Sequence, residues 1–154
     1  MVPPILIDYL IIFVFMRYLD APLRWLFPAL HSAPYMEFSQ FLSPEFQGQW
    51  WLLGVALLSF IFNYWLGEAF LWHGILLPKM RGVFGKYDWV ANAALFGFYH
   101  MHKPWELVSV IASNLTYSWP ASRFRSNWMS VIVHGAELIP TLVVVLVAIL
   151  GPAG

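Results

Sequence analysis

Residues 50–78 read WWLLGVALLSFIFNYWLGEAFLWHGILLP, with Glu68 as the one formally charged side chain in the run. A bilayer core is crossed by roughly 20 apolar residues in a helix, and a segment this long exceeds what a barrel strand needs. A tryptophan pair opens the run and a proline closes it, so it reads as a membrane-crossing helix with aromatic residues at the interface. Residues 127–150, NWMSVIVHGAELIPTLVVVLVAIL, read the same way. Shorter apolar runs over about 3–19, 87–102 and 105–119, the last ending at Pro120, complete the pattern. The expected fold is all-α, a polytopic helical membrane bundle of about four to five transmembrane helices. Between the first two runs, Asp20 to Gln49 is broken by Pro22, Pro28, Pro34 and Pro44 yet rich in Phe, Leu and Trp, which suits interfacial segments. The expected organisation is a single membrane domain over 1–154. Residues 1–49 form an N-terminal span plus an interfacial segment, and 50–151 form the core.

Composition supports this reading. Charged residues make up 10% of the 154, against about 25% in soluble domains, while 60% are hydrophobic and the mean hydropathy is +0.67. One small globule cannot hide that much apolar surface, because a domain of this size leaves about a third of its unfolded surface wet. A formal net charge of zero gives no basic surplus for phosphate backbones, so nucleic acid is excluded as a partner. The absence of cysteine removes disulfides, thiolate nucleophiles and Cys-ligated metals. Met1 to Arg17 contains Asp8, no leading base and no small-residue cleavage site, so it reads as a mature span rather than a signal peptide. Lys79, Arg81, Lys86, Arg123 and Arg125 fall on one side of the expected topology. Arg17, Arg24 and Lys103, among Asp20, Glu37 and Glu45, fall on the other. The five-base side is expected to be cytoplasmic.

Ionisable groups in hydrocarbon cost a few kcal/mol and therefore face the bundle interior, paired with one another. The second run holds Glu68 and His73, the third ends with His100 and His102, and the last holds His134 and Glu137. His100 and His102 are two apart and point to opposite faces, and the deeper His100 is expected to look inward. His134 and Glu137, at i and i+3, share a face. Glu68 and His73 stand about 140° apart on an ordinary α-helix. Asn63, Asn92 and Asn114 serve either as supports or as ordinary interhelical glue. A desolvated carboxylate beside two imidazoles is suited to taking a proton from water, which is hydrolase chemistry. The same three groups, Glu68, His100 and His134, are the set that would ligate zinc or another divalent metal, although the spacing is not H-E-x-x-H.

Three segments carry a resemblance: Gly67-Glu68-Ala69 through His73-Gly74 to Pro78, Phe96-Gly97-Phe98-Tyr99-His100, and Ser126-Asn127 through His134-Gly135. In order and spacing they resemble the E-E-x-x-x-R-G, F-x-x-x-H and H-x-x-x-N/D motifs of the CPBP intramembrane proteases, the CAAX-protease and bacteriocin-processing (Abi-like) family. The likeness runs from about Trp65 to Val145. It implies that Glu68 and His100 activate water, that His134 helps stabilise the oxyanion, and that the substrate is a membrane-embedded or lipidated protein or peptide. No metal is required by this glutamate-and-histidine reading. The sequence departs from the motifs at Ala69 (second acid), His73 (arginine) and Leu138 (Asn/Asp). An oxyanion donor is worth about 3 kcal/mol, and Glu137, one residue before Leu138, is the side chain placed to replace it as a neutral donor. His73 is the other supporting candidate.

The resemblance further implies an integral, multi-pass protein of a bacterial cytoplasmic membrane, in contact with lipid. Fewer spans precede the first motif than is usual in the family, so substrate access is expected to involve a membrane partner. The three departures support a rival reading, a catalytically degenerate subunit acting as scaffold, immunity or assembly factor. Inward histidines ligating haem or a pigment make a third reading, supported only by the histidines and the abundant aromatics.

Overall fold

The computed structural model describes residues 2–32 and 42–151. Pro34 and Glu37, which enter the sequence arguments above, lie outside the described residues. The described chain is built from helices, with no strand among the described residues. The main elements are α1 (Val2–Leu26), α2 (Trp51–Met80), α3 (Asp88–Tyr99), α4 (Leu107–Phe124) and α5 (Asn127–Leu150). Short helical turns at Pro28–His31 and Pro44–Phe46 occupy the proline-broken stretch.

The polarity of the bundle is inverted relative to a soluble protein. Asp8, Glu68, His73, Asn92, Asn114, Ser118, Ser130 and His134 are buried, while Leu10, Phe13, Phe62, Trp128 and Leu150 are largely exposed. That arrangement is stable only where lipid covers the outside and polar groups satisfy one another within. Three helices, α1, α2 and α5, are long and apolar enough to cross a bilayer. The protein is a helical integral membrane protein. The runs expected at 87–102 and 105–119 are helical as well. However, α3 has only 12 residues, a rise of about 18 Å against a hydrocarbon core of about 30 Å. α4 buries Ser109, Ser113, Asn114, Tyr117 and Ser118, a polar set facing the other helices. α4 also runs through Pro120, where the sequence suggested an end, and stops at Arg125, whose left-handed backbone (φ 51°) turns the chain into α5.

Two local features position the candidate site side chains. Over Phe60–Leu76 the hydrogen bonding of α2 widens from i→i+4 to i→i+5, so residues five apart come round to the same side of the helix. Glu68 and His73, far apart on an α-helix, thereby face the same interior, with Asn63 one wide turn earlier. In α5 the helix breaks at Ala136 and Glu137 between Asn127–Gly135 and Leu138–Leu150. Pro140 explains the break, because it lacks the N–H that would bond the Ala136 carbonyl four residues back. That carbonyl instead accepts from the Ile139 N–H (3.1 Å) and from the Tyr9 hydroxyl of α1 (2.5 Å). Glu137 consequently sits at a bend.

α3 and α4 form the tightest seam. A methyl group added to Gly97 would overlap the Ile111 side chain, so the two backbones approach as closely as they do only because Gly97 has no Cβ. The turn before α3 is closed by Asp88, whose carboxylate accepts from the backbone N–H of Gly82 (2.7 Å) and Phe84 (2.8 Å).

Candidate active site

Glu68, from the wide part of α2, is the centre of the site. Its Oε2 lies 3.3 Å from His134 Nε2 on α5 and its Oε1 lies 3.8 Å from His100 Nε2 at the end of α3. Asn63 Nδ2 approaches the same Oε1 at 3.4 Å. Three chain segments thus bring one carboxylate and two imidazoles together within the bundle.

The hydrogen bonding of His100 fixes its tautomer. Its Nδ1 is 2.9 Å from the Phe96 carbonyl oxygen, which can only accept, so Nδ1 carries the proton and Nε2 presents a lone pair towards Glu68. A carboxylate oxygen and an imidazole lone pair therefore face each other across a distance too long for a direct hydrogen bond. The Phe96 ring lies 4.6 Å from the His100 ring and holds it from one side. His102 is exposed and only its ring neighbours His100, at 5.7 Å.

His134 is held differently. Its ring stacks on Tyr117 of α4, with centroids 4.9 Å apart and planes 2° from parallel, and Tyr64 of α2 covers it at 4.9 Å. Its Nδ1 is buried with no hydrogen-bond partner among the described residues. Its Nε2 lies between two acids, Glu68 at 3.3 Å and Glu137 Oε1 at 3.9 Å. The bend at Ala136 and Glu137 turns Glu137 onto this imidazole, while Leu138 begins the next helical segment.

His73 does not contact Glu68, although the wide turn puts both inside. Its Nε2 meets Ser118 Oγ at 3.1 Å and Asn114 Oδ1 at 3.3 Å, and its Nδ1 meets Ser130 Oγ at 2.7 Å. Because Asn114 Oδ1 can only accept, His73 donates from Nε2 and accepts the Ser130 hydroxyl at Nδ1. Asn92 extends this network to Ser118 (3.3 Å) and to the Trp72 carbonyl (3.1 Å). Ala69, where the second acid of the motif would stand, is fully buried.

Sequence reading assigned no site role to Asp8, Tyr117, Tyr64 or Ser113, which the structure places beside the candidate site. Asp8 carried a usable signal, a lone acid in an apolar span; the others, common residues in any helix, carried none. As for metal, Glu68, His100 and His134 are the donors available, but no group of three His, Asp or Glu residues among the described residues is spaced to hold an ion. The carboxylate itself occupies the position between the two imidazoles.

A family model described as "Rce1-like: Type II CAAX prenyl endopeptidase Rce1-like" matches residues 38–137, about two thirds of the chain. No curated protein and no solved structure matches the sequence.

Proposed function

The chain belongs to the Rce1-like type II CAAX prenyl endopeptidase family, and from that premise we propose that it is a multi-pass intramembrane endopeptidase in which Glu68 and His100 activate water against a peptide bond. The observation carrying this reading is the pair of acceptors, Glu68 Oε1 and His100 Nε2, facing each other at 3.8 Å. Both lie within reach of one water oxygen, and a water has the two protons such a pair calls for.

In the proposed reaction Glu68 takes a proton as the water oxygen attacks the carbonyl carbon, and the carbonyl becomes an oxyanion. His134, beside the other Glu68 oxygen, stabilises that charge, with Glu137 as a second donor in its protonated form. The proton held by Glu68 then passes to the leaving amine as the C–N bond breaks. General-base catalysis of this kind contributes roughly 10²–10⁴ in rate.

The substrate is proposed to be a peptide carrying a hydrocarbon group, as the family description supports. An apolar cavity of about 820 Å³ between α1, α2 and α5, lined by Ile5, Trp65, Phe70, Trp128, Val131 and Gly135, begins one residue from His134. It is suited to the lipid part of such a substrate. The test is cleavage of a prenylated peptide by the purified full chain in detergent or vesicles. Wild type should release the C-terminal fragment, and Glu68→Gln should lose activity about a thousandfold while remaining folded. Equal cleavage by Glu68→Gln would leave a non-catalytic membrane scaffold as the better reading.

A further inference from the structure

Helix α1 lies outside the family match, yet it delivers the most completely buried carboxylate in the bundle. Asp8, 0% exposed, projects from an apolar helix onto α4. Ser113 Oγ donates to Asp8 Oδ1 at 2.5 Å, and Thr116 Oγ1 reaches the same oxygen at 3.3 Å. Since the single Ser113 proton is directed to Asp8, its oxygen is left to accept from the Tyr117 hydroxyl, 2.9 Å away, a hydroxyl that also hydrogen-bonds the Glu137 carboxylate. Tyr117 is the residue whose ring lies flat on His134.

An imidazole in an enzyme site is ordinarily oriented by a hydrogen bond at the nitrogen remote from the chemistry. His134 has none at Nδ1 among the described residues, so its ring plane is set by the aromatic rings against it, above all the parallel Tyr117. A stack leaves a ring free to slide unless its partner is itself anchored. Tyr117 is anchored through its hydroxyl to Ser113, and Ser113 to Asp8. We infer that Asp8 is a positioning residue for the site, acting through Ser113 and the Tyr117 ring to fix the plane of His134. The inference rests on the proposed role of His134 and extends it to a helix that no motif includes. It also accounts for the presence of an acid in a lipid-facing span, where a carboxylate is costly.

The experiment compares Asp8→Ala, Asp8→Asn, Ser113→Ala, Tyr117→Phe and the Asp8→Ala/Ser113→Ala double variant, each as the full chain on a prenylated peptide. Misplacement by an ångström can change rates by up to about 10². Asp8→Ala is expected to lower kcat about tenfold with KM within about twofold. Asp8→Asn, which keeps the oxygen that accepts from Ser113, should stay near wild type. Tyr117→Phe keeps the ring but loses both its link to Ser113 and its contact with Glu137, so it should fall at least as low as Asp8→Ala, and the Asp8→Ala/Ser113→Ala double variant should fall no lower than either single. Additive losses, or an Asn variant as poor as the Ala variant, would overturn the inference and make Asp8 structural only. Ser113→Ala breaks the same link with a smaller change if Asp8→Ala does not fold, and unchanged kcat there overturns it equally. If wild type cleaves nothing, or Glu68→Gln cleaves as well as wild type, the reading of the site has failed instead. The His134 ring-proton resonance, displaced by the stacked Tyr117, then decides separately: it should move in Asp8→Ala and remain in place in Asp8→Asn.

Discussion

Two buried histidines, His73 and His134, sit in neighbouring parts of the same interior and are treated in opposite ways. His73 has hydrogen bonds at both ring nitrogens, to Ser130, Ser118 and Asn114. His134 has none at Nδ1 among the described residues, and its Nε2 is divided between two acids at 3.3 and 3.9 Å. A fully satisfied polar network rigidifies and holds helices in register. A partly satisfied one, in a low dielectric, is held ready for charge that develops later. On the proposed reading, similar ring burial serves as glue in one place and chemistry in the other.

The sharpest way to break this contrast is at Glu68, the acid that His134 faces and His73 does not. Glu68→Gln should lower turnover about a thousandfold with the melting temperature nearly unchanged; a large stability loss with retained turnover would put Glu68 in the same class as His73. Next, His134→Ala should lower kcat by about 10²–10³, the scale of a lost oxyanion donor, measured as single-turnover cleavage. Glu137 separates charge from hydrogen bonding. Glu137→Gln, still a donor, should retain most activity, whereas Glu137→Ala should lose about a hundredfold, and equal rates in the two would remove Glu137 from the reaction. His73→Ala should show the reverse pattern. Three hydrogen bonds lost inside a membrane bundle amount to about 2 kcal/mol of stability, read by denaturation in detergent, while turnover per folded molecule stays at the wild-type level. The smallest effect should come from Asp88→Ala, which frees the turn at Gly82 and Phe84 for about 1 kcal/mol and leaves cleavage untouched.

Much of this was legible in the sequence. The long runs ending near Pro78 and Leu150 are helices, and an acid and two imidazoles on separate apolar segments converge as the expense of burying them requires. The i, i+3 relation of His134 and Glu137 also survives, although by way of a bend at Pro140 rather than a regular turn. What escaped has physical reasons. The wide pitch of α2 is a property of the hydrogen-bond ladder, and residue types alone gave Glu68 and His73 an ordinary helical angle that set them apart. The serines around His73, and Ser113 beneath Asp8, are residues whose partners are decided only by packing. Asp8 itself was visible as an anomaly in an apolar run, but its partner 105 positions away was not.

The seam at Gly97 and Ile111 bears on how a polypeptide reaches the centre from the bilayer. There the α3 backbone packs directly on the Ile111 and Leu107 side chains of α4, with no α3 side chain between them to swing aside. The hydrocarbon-lined hollow, by contrast, is walled by side chains of α1, α2 and α5, which can rotate without moving a helix. Lateral entry is therefore expected through that hollow, and a cross-link between α3 and α4 should slow neither the arrival of a lipid-bearing chain nor the departure of its fragments.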